Sequence, residues 1–267
     1  MAARTPETGV DAVGARPADW CLVAANRSGG WIFPAVCAAT ALGAVQAHRG
    51  AGPLGVWVFV TVLGGWVITL CLHEFAHAAL ALAGGDRSVR ARGYLTLNPV
   101  RYTDTANSLL IPVLLLAIGG IPLPGGAVLV QPGSLRHRWW SSVVSAGGPA
   151  TNLLIGAVLA ALAAPIDSGL GAALEFLALL QFVAGILNLL PVPGFDGYGI
   201  IAPYLPRRFT AALVPYRAWL PLIAFAIIWF LPGVSRVLFD GGYALLDLAG
   251  GNRLAAGVGA GLFQFWR

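Results

Sequence analysis

The run 54–83 is almost wholly apolar, yet near its far end it carries His73-Glu74-Phe75-Ala76-His77. About thirty such residues form a helix long enough to cross a hydrocarbon core of ~30 Å. Three ionisable side chains within five residues are costly in such a segment, so they mark a functional site. On a helix His73 and His77, four residues apart, share a face, with imidazoles expected about 6 Å apart. Glu74 points about a quarter-turn away, within reach of a water beside a metal ion held by the pair. Two histidines at this spacing with the intervening glutamate form the zinc-hydrolase pattern. The 19 residues from Leu54 to Leu72 rise about 28 Å at ~1.5 Å each, which puts His73 toward one membrane surface and away from the midplane.

Composition agrees with a membrane setting. The chain is 58% hydrophobic and only 10% charged over 267 residues, against about a quarter charged in a soluble domain. The net charge of +5 comes from arginine without any lysine. Those arginines are scattered between apolar runs, so they read as loop anchors obeying the positive-inside rule and not as a nucleic-acid footprint. Arginine in place of lysine, with abundant Ala and Gly, points to a GC-rich bacterial genome. Cys21, Cys37 and Cys71 make neither a disulfide framework nor a CxxC metal pair. The N-terminus is polar through Arg16 and lacks a signal-peptide pattern. Residues 1–28 are expected to be a cytoplasmic tail and 29–267 a single membrane domain, with its core at about 54–197.

The expected fold is all-α and polytopic, with five to six transmembrane helices and a short membrane-embedded re-entrant or β-hairpin element. Candidate crossings are 31–47, 54–83, 141–164, 170–190 and 211–231. The stretch 107–118 is shorter and leaves through a Gly/Pro-rich exit, which suits a re-entrant hairpin. The stretch 234–266 is interrupted by Asp240, Asp247 and two glycine pairs, and either lies on the surface or crosses once more. Arg87, Arg90, Arg92 and Arg101 follow the second crossing, Arg136 and Arg138 precede the third, and Arg207 and Arg208 follow the fourth. Loop charge places all of these in the cytoplasm, and with them the end of the helix that carries His73. His48 and His137, beside loop arginines, are expected to face solvent.

A hydrolytic zinc site takes three protein ligands and keeps one position open. The best third ligand is Asp196, in Leu190-Pro191-Val192-Pro193-Gly194-Phe195-Asp196-Gly197. The prolines end the fourth crossing there, and the glycines let the chain turn Asp196 back toward the bundle. Ala146-Gly147-Gly148-Pro149-Ala150-Thr151-Asn152 opens the third crossing, with Pro149 suited to a first helical turn. Asn152 would then lie one turn inside, where its amide could donate to a developing oxyanion or hydrogen-bond another helix. Val128 and Val130, within 127–130, read as a short β-strand able to pair with an extended substrate segment.

On these residues the chain resembles the site-2 protease family of intramembrane zinc metalloproteases, in a compact bacterial form without a PDZ domain. The likeness covers about 54–197 and rests on His73-Glu74-Phe75-Ala76-His77, Gly148-Pro149-Ala150-Thr151-Asn152 and the 190–197 segment, in that order. It implies a Zn²⁺ cofactor held by His73, His77 and Asp196, Glu74 as the base, and Asn152 as a substrate or oxyanion contact. It further implies a bacterial plasma-membrane enzyme that cuts a transmembrane protein, with membrane-bound anti-sigma factors as one example. One departure is that the family's usual Asn-Pro before the aspartate's turn appears here as Leu190-Pro191-Val192-Pro193-Gly194, with Gly194 and Phe195 directly before Asp196. The rival reading is a non-proteolytic membrane protein that binds or transports zinc. An intact Glu74 weighs against it, since a structural site does not need that residue.

Overall fold

The computed structural model describes residues 30–98, 132–216 and 219–266. Contacts divide the chain after Gly30, and the unit Trp31–Arg267 contains every helix discussed here. In chain order these are α1 (Ile32–Arg49), α2 (Leu54–Gly84), the single-turn α3 (Ser88–Ala91), α4 (Arg138–Ala163), α5 (Gly169–Asn188), the short α6 (Asp196–Ile201), α7 (Arg207–Leu213), α8 (Trp219–Phe230), α9 (Pro232–Leu248) and α10 (Arg253–Phe263). Among the described residues there is no named strand.

Three of these helices, α2, α4 and α5, are long and apolar enough to cross a membrane. A fourth crossing exists if Arg207–Tyr216 and Trp219–Phe230, bent by 71°, form one broken span. Helix α1 matches the expected first crossing, but Gln46, His48 and Arg49 make its last turns polar, so it falls short of that test. The C-terminal region becomes two helices, α9 and α10, separated by a turn in which Gly250 adopts φ +80°, a left-handed conformation that favours glycine. The expected re-entrant or β-hairpin element, with 107–118, Val128 and Val130, lies outside the described residues.

Helix α5 is the axis of the fold. Most of its residues are buried, including the continuous run from Phe176 to Gly185. The helix carries only three strongly polar side chains, Glu175, Gln181 and Asn188, so a largely apolar rod is packed on every side. Small residues let the neighbouring backbones close on it, as membrane helix packing requires. A Cβ on Gly259 of α10 would stand 2.1 Å from the Ala172 carbonyl oxygen, and one on Gly242 of α9 2.6 Å from Val183. Gly65 of α2 and Gly156 of α4 meet Leu177 and Phe182 in the same way. Phe263 completes the clasp by stacking on Phe59 of α2 with ring centroids 5.1 Å apart.

The third crossing begins earlier than its apolar run suggested. Helix α4 starts at Arg138, so Pro149 sits inside the helix and not in its first turn. Proline there withholds one N–H from the helical ladder, which membrane helices tolerate where packing compensates. The extra turns at the start put Arg138 over the ring of Tyr204, 5.2 Å from its centroid. Helix α4 therefore spans from the surface to the core along one face of α2, and the site forms along that seam.

Candidate metal centre

Helix α2 runs on through Gly84, which leaves His73, Glu74 and His77 inside it with about two turns to spare. All three are buried. The imidazoles approach more closely than helical spacing alone predicts. Their Nε2 atoms lie 3.1 Å apart, because the rings turn toward each other at 80° with centroids 4.7 Å apart.

What turns them is α4. Nδ1 of His77 donates to the carbonyl oxygen of Val144 at 2.7 Å, and Nδ1 of His73 lies 3.2 Å from Oδ1 of Asn152. Both partners are oxygen acceptors, so each ring carries its proton on Nδ1. Each Nε2 lone pair is then left free for a ligand, as in sites where an outer acceptor fixes the tautomer. Gly148 supplies the space between these contacts. A Cβ at that position would stand 2.4 Å from Nε2 of both histidines.

The carboxylate comes from the far side of α5. After Asn188 the chain turns through Pro191 and Pro193, and Gly194 takes φ +107°, where a side chain would be strained. Asp196 then becomes the first residue of α6. Its Oδ2 lies 3.3 Å from Nε2 of His73 and its Oδ1 lies 3.3 Å from Nε2 of His77. Burial alone would raise the Asp196 pKa, but the neighbouring His77 and His73 outweigh it and hold the group well below the usual carboxylate range. Positive charge belongs at this spot, whether as a proton on an imidazole or as a metal ion.

The donor set fits a metal ion. Ligand atoms placed tetrahedrally at ~2.0–2.1 Å from a Zn²⁺ ion stand about 3.3–3.4 Å apart. Here the two Nε2 atoms stand 3.1 Å apart, and each has one Asp196 oxygen 3.3 Å away, Oδ2 for His73 and Oδ1 for His77. Two imidazole nitrogens and a carboxylate so gathered would repel one another without a shared cation or proton. Asp196 Oδ2, moreover, is buried with no hydrogen bond. Among the described residues these three form the one His/Cys/Asp/Glu group of metal-binding compactness. Glu74 sits beside it, Oε1 4.0 Å from Nε2 of His73.

Of the residues singled out from sequence, the structure thus brings His73, His77, Asp196, Glu74 and Asn152 together, while Val128 and Val130 lie outside the described residues. His48 and His137 are exposed, as expected, with Nδ1 of His48 3.2 Å from Ser168 Oγ. Sequence reasoning missed the Val144 carbonyl, which carries no sequence signal because any residue can supply it. It also missed Gln181, whose amide donates to Oγ1 of Thr69 at 2.8 Å one turn before His73. An amide in the middle of the apolar run 176–187 was the available clue.

No family model and no solved structure matches the chain. Curated relatives do. A Mycolicibacterium smegmatis protein named "Putative zinc metalloprotease Rip2" is 41% identical over 88% of this chain and 93% of its own length. A Mycobacterium tuberculosis protein of the same name is 41% identical over 78% of this chain and 82% of its own. "Putative zinc metalloprotease YwhC" of Bacillus subtilis is 30% identical over 65% of this chain and 81% of its own length. Identity of this level along nearly the whole of each relative places the chain in the site-2 protease family.

Proposed function

We propose that this protein is an intramembrane zinc metalloendopeptidase that hydrolyses peptide bonds in or near a transmembrane segment of another membrane protein. The observation that carries the reading is the convergence of His73 Nε2 and His77 Nε2, 3.1 Å apart, on the Asp196 carboxylate, whose Oδ2 and Oδ1 lie 3.3 Å from one and the other, with Glu74 4.0 Å from His73. Bound zinc supplies Lewis acidity toward water and toward a peptide carbonyl.

The chain's own residues do the rest. Glu74, buried beside the ligands, takes the proton of the attacking water and returns it to the leaving amine. Val144 and Asn152 hold the two imidazoles so that their Nε2 atoms converge. Asn152 uses its oxygen for this, which leaves its NH₂ end to donate to the carbonyl oxygen as it gains charge. Burial of His73, His77, Glu74 and Asn152 limits bulk water around the reacting carbonyl and strengthens each of these contacts. A helical substrate must unwind to expose its peptide bonds, and pairing with 127–130, through Val128 and Val130, is the proposed means.

The proposed setting is the bacterial plasma membrane, with five to six crossings in the domain 29–267 and residues 1–28 as a cytoplasmic tail. Arg87 and Arg90 follow α2, Arg136 precedes and Arg138 opens α4, and Arg207 and Arg208 follow α6, which supports a site toward the cytoplasm. The proposed partner is a single-span membrane protein, membrane-bound anti-sigma factors being one such class. Comparative membrane proteomics of cells with the natural protein and with Glu74→Gln tests the reading. An uncleaved single-span fragment is expected to accumulate in the variant, whose zinc content stays unchanged. Equal processing in both strains refutes the catalytic assignment and leaves a zinc-binding protein without hydrolysis.

A further inference from the structure

Helix α4 holds the imidazoles through Val144 and Asn152, and its opening turns also hold the element that delivers the carboxylate. Ser142 Oγ donates to the carbonyl oxygen of Ile200 at 2.6 Å. Ile200 lies in the last turn of α6, where carbonyls have no helical partner, one turn from Asp196 at the helix start. Beside it Gly199 rests on Ser145, where an added Cβ would stand 2.3 Å from Oγ. Tyr204, just beyond α6, lies under Arg138. On the opposite side Gly197 abuts the Leu189 carbonyl oxygen, 2.1 Å from where its Cβ would be.

A helix of six residues cannot hold its own direction, since an isolated turn is unfavourable to nucleate and gains little by propagation. The orientation of Asp196 is therefore set by what clamps α6. Of those clamps only the Ser142 hydroxyl makes a directional side-chain hydrogen bond to it. The others are close approaches that limit distance without fixing rotation.

We infer that Ser142 is a positioning residue for Asp196: its hydroxyl, anchored on Ile200, sets the rotation of α6 that holds the carboxylate 3.3 Å from both Nε2 atoms. This rests on the metal-site reading above. One helix thereby registers both halves of the centre, the imidazoles through its middle turns and the carboxylate through its first.

The test uses the full chain in lipid nanodiscs, with zinc affinity from chelator competition and the visible absorption of the Co²⁺-substituted protein. Ser142→Ala is expected to weaken zinc binding about tenfold, at the lower end of what outer contacts to a metal site cost, and to shift the Co²⁺ bands. Ser142→Thr, which keeps a hydroxyl, restores both. A Ser142→Ala protein of lower thermal stability but unchanged affinity and spectrum shows a hydroxyl that only supports the fold, and overturns the inference. Asp196→Ala is the reference: if it binds zinc as well as the natural protein does, the ligand assignment itself fails, which is a different result from an unaffected Ser142→Ala.

Discussion

A methyl group on Gly148 would stand 2.4 Å from Nε2 of His77, and equally close to Nε2 of His73. The backbone of α4 thus comes directly under the two atoms that converge on the metal position, and only glycine leaves them room. Gly148→Ala is expected to lower zinc affinity by about 5- to 150-fold, the equivalent of the ~1–3 kcal/mol that overpacking costs. Gly147→Ala is the control, because its added methyl meets the flexible end of Leu80. Metal content after dialysis separates them; equal retention by both variants would contradict the geometry.

Asn152 is expected to serve two ends of the chemistry separately. Asn152→Ala removes the acceptor for His73 Nδ1 and should weaken zinc binding about tenfold. Asn152→Asp keeps an acceptor oxygen there and should retain zinc, yet lose cleavage because it no longer has an amide to donate. Zinc titration alongside a cleavage assay reads both. Wild-type cleavage by Asn152→Asp would remove the oxyanion role.

The Gln181–Thr69 hydrogen bond ties α5 to α2 one turn before His73. Gln181→Leu should cost about 0.6–1.7 kcal/mol of stability, the scale of interhelical hydrogen bonds in membrane proteins. Zinc content should not change. Thermal unfolding in nanodiscs checks the first part, and a loss of zinc from the folded variant would show that this contact also shapes the centre.

The helices were legible because apolar length is a strong signal, and α2, α4 and α5 follow their runs to within a few residues. Asp196 was legible through Pro191, Pro193 and Gly194, whose backbone constraints announce a turn. The start of α4 was not, since Arg138 lies outside the apolar run and is held by the ring of Tyr204, a tertiary contact. The closeness of the imidazoles was equally hidden: helical spacing gives a shared face, but ring rotation is set by the Val144 carbonyl and by Asn152. Gly148 stood in plain view in the sequence, yet the reason for it appears only once α4 lies against α2.

Zinc K-edge X-ray absorption of the purified, metal-loaded protein tests the central claim most directly. The account predicts a first shell of nitrogen and oxygen at ~2.0–2.1 Å, with outer-shell scattering from two imidazoles, and loss of that spectrum in Asp196→Ala. A sulfur-containing shell, a single imidazole, or an identical spectrum without Asp196 would contradict it.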